Sequence, residues 1–175
     1  METVGDQQRQ DGEYSGGVWL RSHVGVNGRV CSIRGHGKDL IMTTFIAKLA
    51  MGNPIEAICL AASDGFSARY DLDRLNGKFS RPAHKLYGQD YRDKILILDT
   101  AKGGVATAWM LYEMKSRQVY PAAIVLNTVN PILAQGAALA DIPMLAGFDC
   151  DITTAIASGA LVRLNPAEKS LTVVR

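Results

Sequence analysis

Between Lys94 and Leu126 the chain spells a strand, a glycine bend, a helix and a second strand, an order that few folds accommodate. Lys94-Ile95-Leu96-Ile97-Leu98 is an almost unbroken apolar run, the pattern of a strand covered on both faces. Asp99-Thr100-Ala101-Lys102-Gly103-Gly104 then turns the backbone, and the paired glycines permit a sharp bend and close approach of a ligand. From Val105 to Met114 apolar residues recur at helical spacing through Ala108, Trp109 and Tyr112, which predicts a helix with that stripe as its apolar face. Lys115 and Arg117 suit its carboxyl end. Ala122 to Leu126 is the second strand, parallel to the first because such crossovers are right-handed.

A helix opening on a glycine bend leaves free N–H groups, and Lys102 adds a full positive charge beside them. The predicted guest is a carboxylate or phosphate. No Gly-Lys-Ser/Thr ending and no G-x-G-x-x-G accompany the bend, so neither nucleotide fingerprint is met. The other account of the same residues is that the glycines only turn the chain and Lys102 is solvated.

The remaining pattern surrounds this unit. Phe45 to Met51 and Ile55 to Ala61 flank Gly52-Asn53-Pro54 and are predicted to pair as a hairpin, although the first run also fits a short helix. Phe66 to Leu86 is polar and loop-like, and a loop of that length inside a domain is often functional. Asn130 and Pro131 open a helix over Ile132 to Leu139, and Ile142 to Leu145 is a third strand. Asp151 caps a helix from Ile152 to Ser158 that Gly159 ends. Leu161 to Leu164 and Leu171 to Val174 form a terminal hairpin. The expected architecture is α/β: a small parallel sheet, flanking helices and a barrel-like antiparallel layer built from the chain's end strands.

Residues 1–41 differ. They hold glycines 5, 12, 16, 17, 25, 28, 35 and 37, read as a poorly structured extension, and contain one weak hairpin over Gly25 to Ile33. Met42 begins the patterned domain, 42–175, and is a possible biological start. A net charge of +2 without a dense basic run argues against nucleic acid. No apolar stretch reaches the roughly 20 residues that span a bilayer, and the first residues lack a signal-peptide centre, so the expectation is a cytoplasmic chain off the membrane. Cys31, Cys59 and Cys150 are too scattered for a metal-ligand set, as are His23, His36 and His84. Cys59, within Ile58-Cys59-Leu60, reads as a core thiol.

The series from Gly52 to Arg175 resembles the swivelling domain of the aconitase X family. The residues that carry the likeness are Phe66-Ser67 with Asp73 and Gly77, then Phe79-Ser80-Arg81-Pro82-Ala83-His84 leading to Gly88. The Lys94 strand and its bend, Pro121 to Leu126, Asn130 to Ala137 and Ile142-Pro143 complete the series. The resemblance implies a swivelling β/β/α fold and the small subunit of a hydro-lyase. Family substrates are small anionic hydroxy acids, cis-3-hydroxy-L-proline or mevalonate 5-phosphate. It further implies a large partner subunit that carries an iron–sulfur cluster, with no cofactor held by this chain, and a serine of the swivelling domain in proton transfer.

That serine-rich turn is absent here. Lys102 and Gly103 match, but Gly104, Val105 and Ala106 stand where the serines fall, so Thr107 is the nearest hydroxyl and the candidate for proton transfer. Its other account is a helix residue bonded back to a carbonyl. Lys102, Gly103, Gly104, Ser67, Arg69 and His84 are the candidate substrate-binding residues. Arg69 suits a bidentate carboxylate clamp, or else a surface pair with Asp71 or Asp73. His84 suits a proton shuttle, or else a loop cap. Trp109 and Tyr112 read as core or as partner contacts. The rival function is a non-catalytic anion-binding or regulatory module on the same scaffold.

Overall fold

The structure, a computed structural model, describes residues 18–24, 30–36 and 43–174. Its strands and helices in chain order are β1 (Val18–Val24), β2 (Val30–His36), β3 (Thr43–Met51), β4 (Ile55–Ala62), β5 (Leu72–Asp73), β6 (Lys78–Phe79), β7 (Ile95–Thr100), α1 (Val105–Ser116), β8 (Ala123–Thr128), α2 (Pro131–Leu139), β9 (Met144–Phe148), α3 (Ile152–Ala155), β10 (Leu161–Asn165) and β11 (Ser170–Val174).

Seven strands close a barrel in the order β10-β11-β3-β9-β8-β7-β4. Three neighbouring pairs, β4–β7, β7–β8 and β8–β9, are parallel, and the pairs made by β3, β10 and β11 are antiparallel. The parallel sheet and antiparallel layer expected from the sequence are thus two arcs of one closed sheet. β3 and β4 are both strands, but the expected hairpin between them does not form. The β10–β11 hairpin lies between them and pairs with each, Leu161 opposite Ile58 and Leu171 opposite Phe45.

Side-chain alternation explains the unbroken apolar runs. Ile95 and Ile97 point into the barrel with Phe45, Cys59, Val125, Leu145, Val162, Leu164 and Leu171. Leu96 and Leu98 point outward, beneath Leu111 and Met114 of α1, Leu133 and Ala137 of α2, and Phe66, Phe79 and Tyr91. Each such aliphatic side chain contributes roughly 1.5–3 kcal/mol by leaving water. Both faces of β7 are therefore covered, as its sequence requires.

Three expectations change. Phe66 to Leu86 is mostly turns, as expected, but not polar throughout: Phe66, Ala68, Leu72, Phe79 and Leu86 are buried, and β5 and β6 form a small hairpin turned at Gly77. α1 buries Thr107, Leu111 and Met114 rather than the predicted stripe. Val105, Trp109 and Tyr112 remain 62, 67 and 55% exposed. At about 100° per residue the two stripes lie on opposite sides of the helix. α3 ends at Ala155, three residues early, because the chain beyond it turns extended to bond β4, Gly159 N–H to the Cys59 carbonyl and Cys59 N–H to the Ala160 carbonyl.

Within 1–41, β1 and β2 pair antiparallel, with strands reaching further to both sides than the hairpin predicted over Gly25 to Ile33. The disorder expected of Met1 to Gly17 lies outside the described residues.

Candidate anion site at the carboxyl edge of the sheet

Three loops leave the carboxyl ends of adjacent parallel strands and run together, the place where open α/β sheets bind ligands. Residues 63–68 follow β4, 101–104 follow β7 and 129–130 follow β8. Backbone bonds tie them: Phe66 N–H to the Thr100 carbonyl at 2.8 Å, Lys102 N–H to the Phe66 carbonyl at 2.7 Å, and Ala101 N–H to the Thr128 carbonyl at 3.0 Å. The bend is thus held on both sides before any side chain is counted.

Gly103 has φ +101°, which side-chain-bearing residues rarely adopt, and it is exposed. Gly104 is the N-cap of α1 and supplies no side-chain cap. Among the described residues the N–H groups of Gly103, Gly104, Val105 and Ala106 meet no acceptor, while Thr107 N–H closes the first turn on the Gly104 carbonyl. Four successive amides at the start of α1 are therefore unpaired within the described residues, and Gly103, Gly104 and Val105 are exposed.

Lys102 stands beside them, but not as the lone charge the sequence suggested. Its stem lies over Gly65, whose missing side chain makes the space, and its Nζ is 3.5 Å from Asp64 Oδ1. That contact is long and half-exposed, so it holds the lysine weakly. Burial pushes the Asp64 carboxyl up, but the Gly65 amide, the adjacent His84 ring, the Lys85 amide and the Lys102 charge outweigh it and leave the carboxyl below its ordinary range. At neutral pH the bend carries a cation and its counter-ion, and the amides supply the unbalanced donors.

Ser67 and Thr107 are brought together behind the bend, each 2% exposed, with their hydroxyls 3.4 Å apart. A methyl group on Gly103 would fall 2.5 Å from Thr107 Oγ1, so the glycine covers the threonine directly. Thr107 thus sits buried behind the bend, with its hydroxyl on the side that faces Gly103. Ser67 is buried with it, and its own N–H donates to the buried carboxylate of Asp71, which Arg81 also meets at 3.3 Å.

His84 is buried and stacked on Phe79, ring centroids 4.6 Å apart. Leu86 N–H donates to its Nδ1, so its Nε2–H is the donor facing the Gly65 carbonyl at 3.1 Å. Both ring nitrogens are occupied, and through them the histidine ties the Gly65 carbonyl to the Leu86 amide. Arg69 is exposed, with its guanidinium 5.4 Å from the centre of the Tyr70 ring, and neither expected aspartate takes it. Asp71 meets Arg81, and Asp73 caps the 73–77 turn.

Asn130 caps α2 as predicted, its Oδ1 accepting from Leu133 N–H at 2.8 Å, and its Nδ2 also reaches the Gly103 carbonyl at 3.2 Å. Asp64 and Gly65 escaped the sequence reading. The signal for them was an Asp-Gly pair directly after the β4 run. A cavity of about 350 Å³ opens at the other end of the parallel strands, where Lys115 lies over the Tyr120 ring and bonds the Asp141 carbonyl. It shares no residue with the bend.

A closed barrel with helices on one arc and a backbone-lined mouth at its carboxyl edge defines a swivelling-type domain. Residues 44–173 match the family model described as the aconitase X swivel domain, and the chain belongs to that family. Among curated proteins it is 32% identical over 116 residues to the phosphomevalonate dehydratase small subunit of Methanopyrus kandleri, which spans 66% of this chain and 86% of that one. The protein of the same name from Methanococcoides burtonii is 33% identical, over 63% of this chain and 80% of its own length. The crystal structure of Thermococcus kodakaraensis aconitase X superposes with a TM-score of 0.69 at 22% identity, covering 75% of this chain and 98% of that one, and shares the fold. Among the described residues no helix is long and apolar enough to cross a membrane.

Proposed function

We propose that this chain is the small, swivelling subunit of an aconitase X-type dehydratase, and that its glycine bend holds the anionic group of a small hydroxy acid. The observation that carries this is the row of free amides from Gly103 to Ala106 beside Lys102. Such a row accepts carboxylate or phosphate oxygens through backbone alone. The names of the curated relatives favour a mevalonate 5-phosphate-like substrate over a cis-3-hydroxy-L-proline-like one.

The partner in this reading is a large aconitase X-type subunit. The family's iron–sulfur cluster does not fit the residues described here: no group of three or more His, Cys, Asp or Glu side chains is placed to hold a metal ion, and Cys59 is sealed inside the barrel. We therefore assign the cluster to the large subunit. This chain binds the anion, orients it and excludes water as the two subunits close. The exposed Val105–Trp109–Tyr112 stripe supports the partner, because it begins at the mouth and any chain closing over the bend covers it.

Lys102→Ala tests the site. In the assembled complex kcat/KM is expected to fall about 10- to 100-fold, the range of a lost charge-assisted hydrogen bond, with subunit association intact. Unchanged kcat/KM in that complex would defeat the proposal. Thr107→Val is expected to cost less than about threefold in kcat, since the hydroxyl is covered by Gly103 and makes only a long contact to Ser67. A fall of a hundredfold at unchanged melting temperature would return proton transfer to the threonine.

A second reading, a non-catalytic anion-binding or regulatory module, is favoured by one observation. The exposed rim, Lys102, Gly103, Gly104 and Val105, carries no hydroxyl. Phosphate binding without turnover in any assembled complex would establish it.

A further inference from the structure

We infer that Asn130 is a positioning residue that sets the direction of the Gly103–Gly104 peptide and so creates the donor row; this rests on the anion-site reading above. The side chain is oriented by its neighbours. Leu133 N–H can only donate, so it faces Oδ1, and the carbonyls of Gly103 and Ala101 can only accept, so they face Nδ2, at 3.2 and 3.4 Å. One side chain therefore caps α2 and gathers two carbonyls of the bend.

The consequence follows from peptide planarity. In a trans peptide the C=O and the next N–H point in opposite directions. The Ala101–Lys102 peptide shows it: its carbonyl faces Asn130 and its N–H reaches the Phe66 carbonyl at 2.7 Å. By the same rule the Gly103 carbonyl, held by Asn130, turns Gly104 N–H away from Asn130, where no described residue accepts it. Two adjacent glycines place little steric barrier against a flip of that peptide. A flip would exchange the Gly104 donor for the Gly103 carbonyl oxygen at the mouth and repel an anion. The Asn130 amide donates to that carbonyl and so opposes the flip.

Asn130→Ser separates the two jobs. Serine still caps a helix about as well as asparagine, but its hydroxyl is too short to hold the Gly103 carbonyl. The probe is inorganic phosphate titrated into the full chain, read by the amide resonances of residues 103–106, with thermal melting in parallel. Wild-type protein is expected to shift those resonances saturably. The serine variant should melt close to wild type yet bind at least about fivefold more weakly. Equal affinity in both proteins would overturn the role of Asn130 while leaving the anion site standing. No phosphate response at 103–106 in wild type would overturn the site itself and this inference with it. If the serine variant melts well below wild type, Asn130→Thr, another capping hydroxyl, is put through the same titration and judged by the same two outcomes.

Discussion

Gly103→Ala is expected to lower the melting temperature by about 5–15 °C and to abolish phosphate binding at the bend. Two costs add. A residue with a Cβ at φ +101° is strained wherever it sits, by about 1–2 kcal/mol. The new methyl would also fall 2.5 Å from Thr107 Oγ1 and 3.4 Å from Ser67 Oγ. Neither oxygen has room to retreat, because both side chains are buried beneath the bend, and crowding of this kind costs about 1–3 kcal/mol. Gly104 provides the control. Its φ of −121° lies outside the left-handed region, and a Cβ there meets nothing within 4 Å. Gly104→Ala should melt within about 2 °C of wild type, and Gly104→Ser should gain a few tenths of a kcal/mol as an N-cap. Thermal melts of the three variants, with phosphate titrations, check the contrast. Equal melting of the two alanine variants would mean that the backbone at Gly103 is not as described.

The same two glycines show what was legible in the sequence. Their place between a buried strand and a helix followed from local pattern alone, as did the Asn130 and Asp151 caps and the terminal hairpin, whereas the swivelling architecture came from the resemblance over Gly52 to Arg175. Each is written within a dozen residues of itself. The misread features depend on partners far away in the chain. β3 and β4 looked like a hairpin because sequential strands usually pair, but a hairpin from residues 161–174 is inserted between them. Lys102 looked unopposed because its counter-ion, Asp64, lies on the loop after a different strand. The 66–86 segment looked polar and loop-like because its buried anchors Phe66, Leu72, Phe79 and Leu86 stand six or seven residues apart, too sparse for a helix or strand period to show.

The face of α1 was misjudged for another reason, and it supplies the most informative substitution. Periodicity finds the more apolar side of a helix, not the side turned to its own core. Here the core side is Thr107, Leu111 and Met114, diluted by a threonine, and the richer stripe Val105–Trp109–Tyr112 is left in water. Tryptophan and tyrosine in such a position are the residue types that dominate binding at interfaces. Trp109→Glu is therefore expected to leave the isolated chain within about 0.5 kcal/mol of wild-type stability, because a surface side chain has little packing to lose. A buried tryptophan would instead cost several kcal/mol. Association with the proposed large subunit should weaken by about a hundredfold, the effect of losing a hot-spot aromatic and burying a charge in its place. Thermal melting of the lone subunit and titration calorimetry of the pair check the two halves separately. Wild-type affinity in the variant would move the partner's footprint off α1, and a large fall in the lone subunit's melting temperature would put Trp109 back in the core.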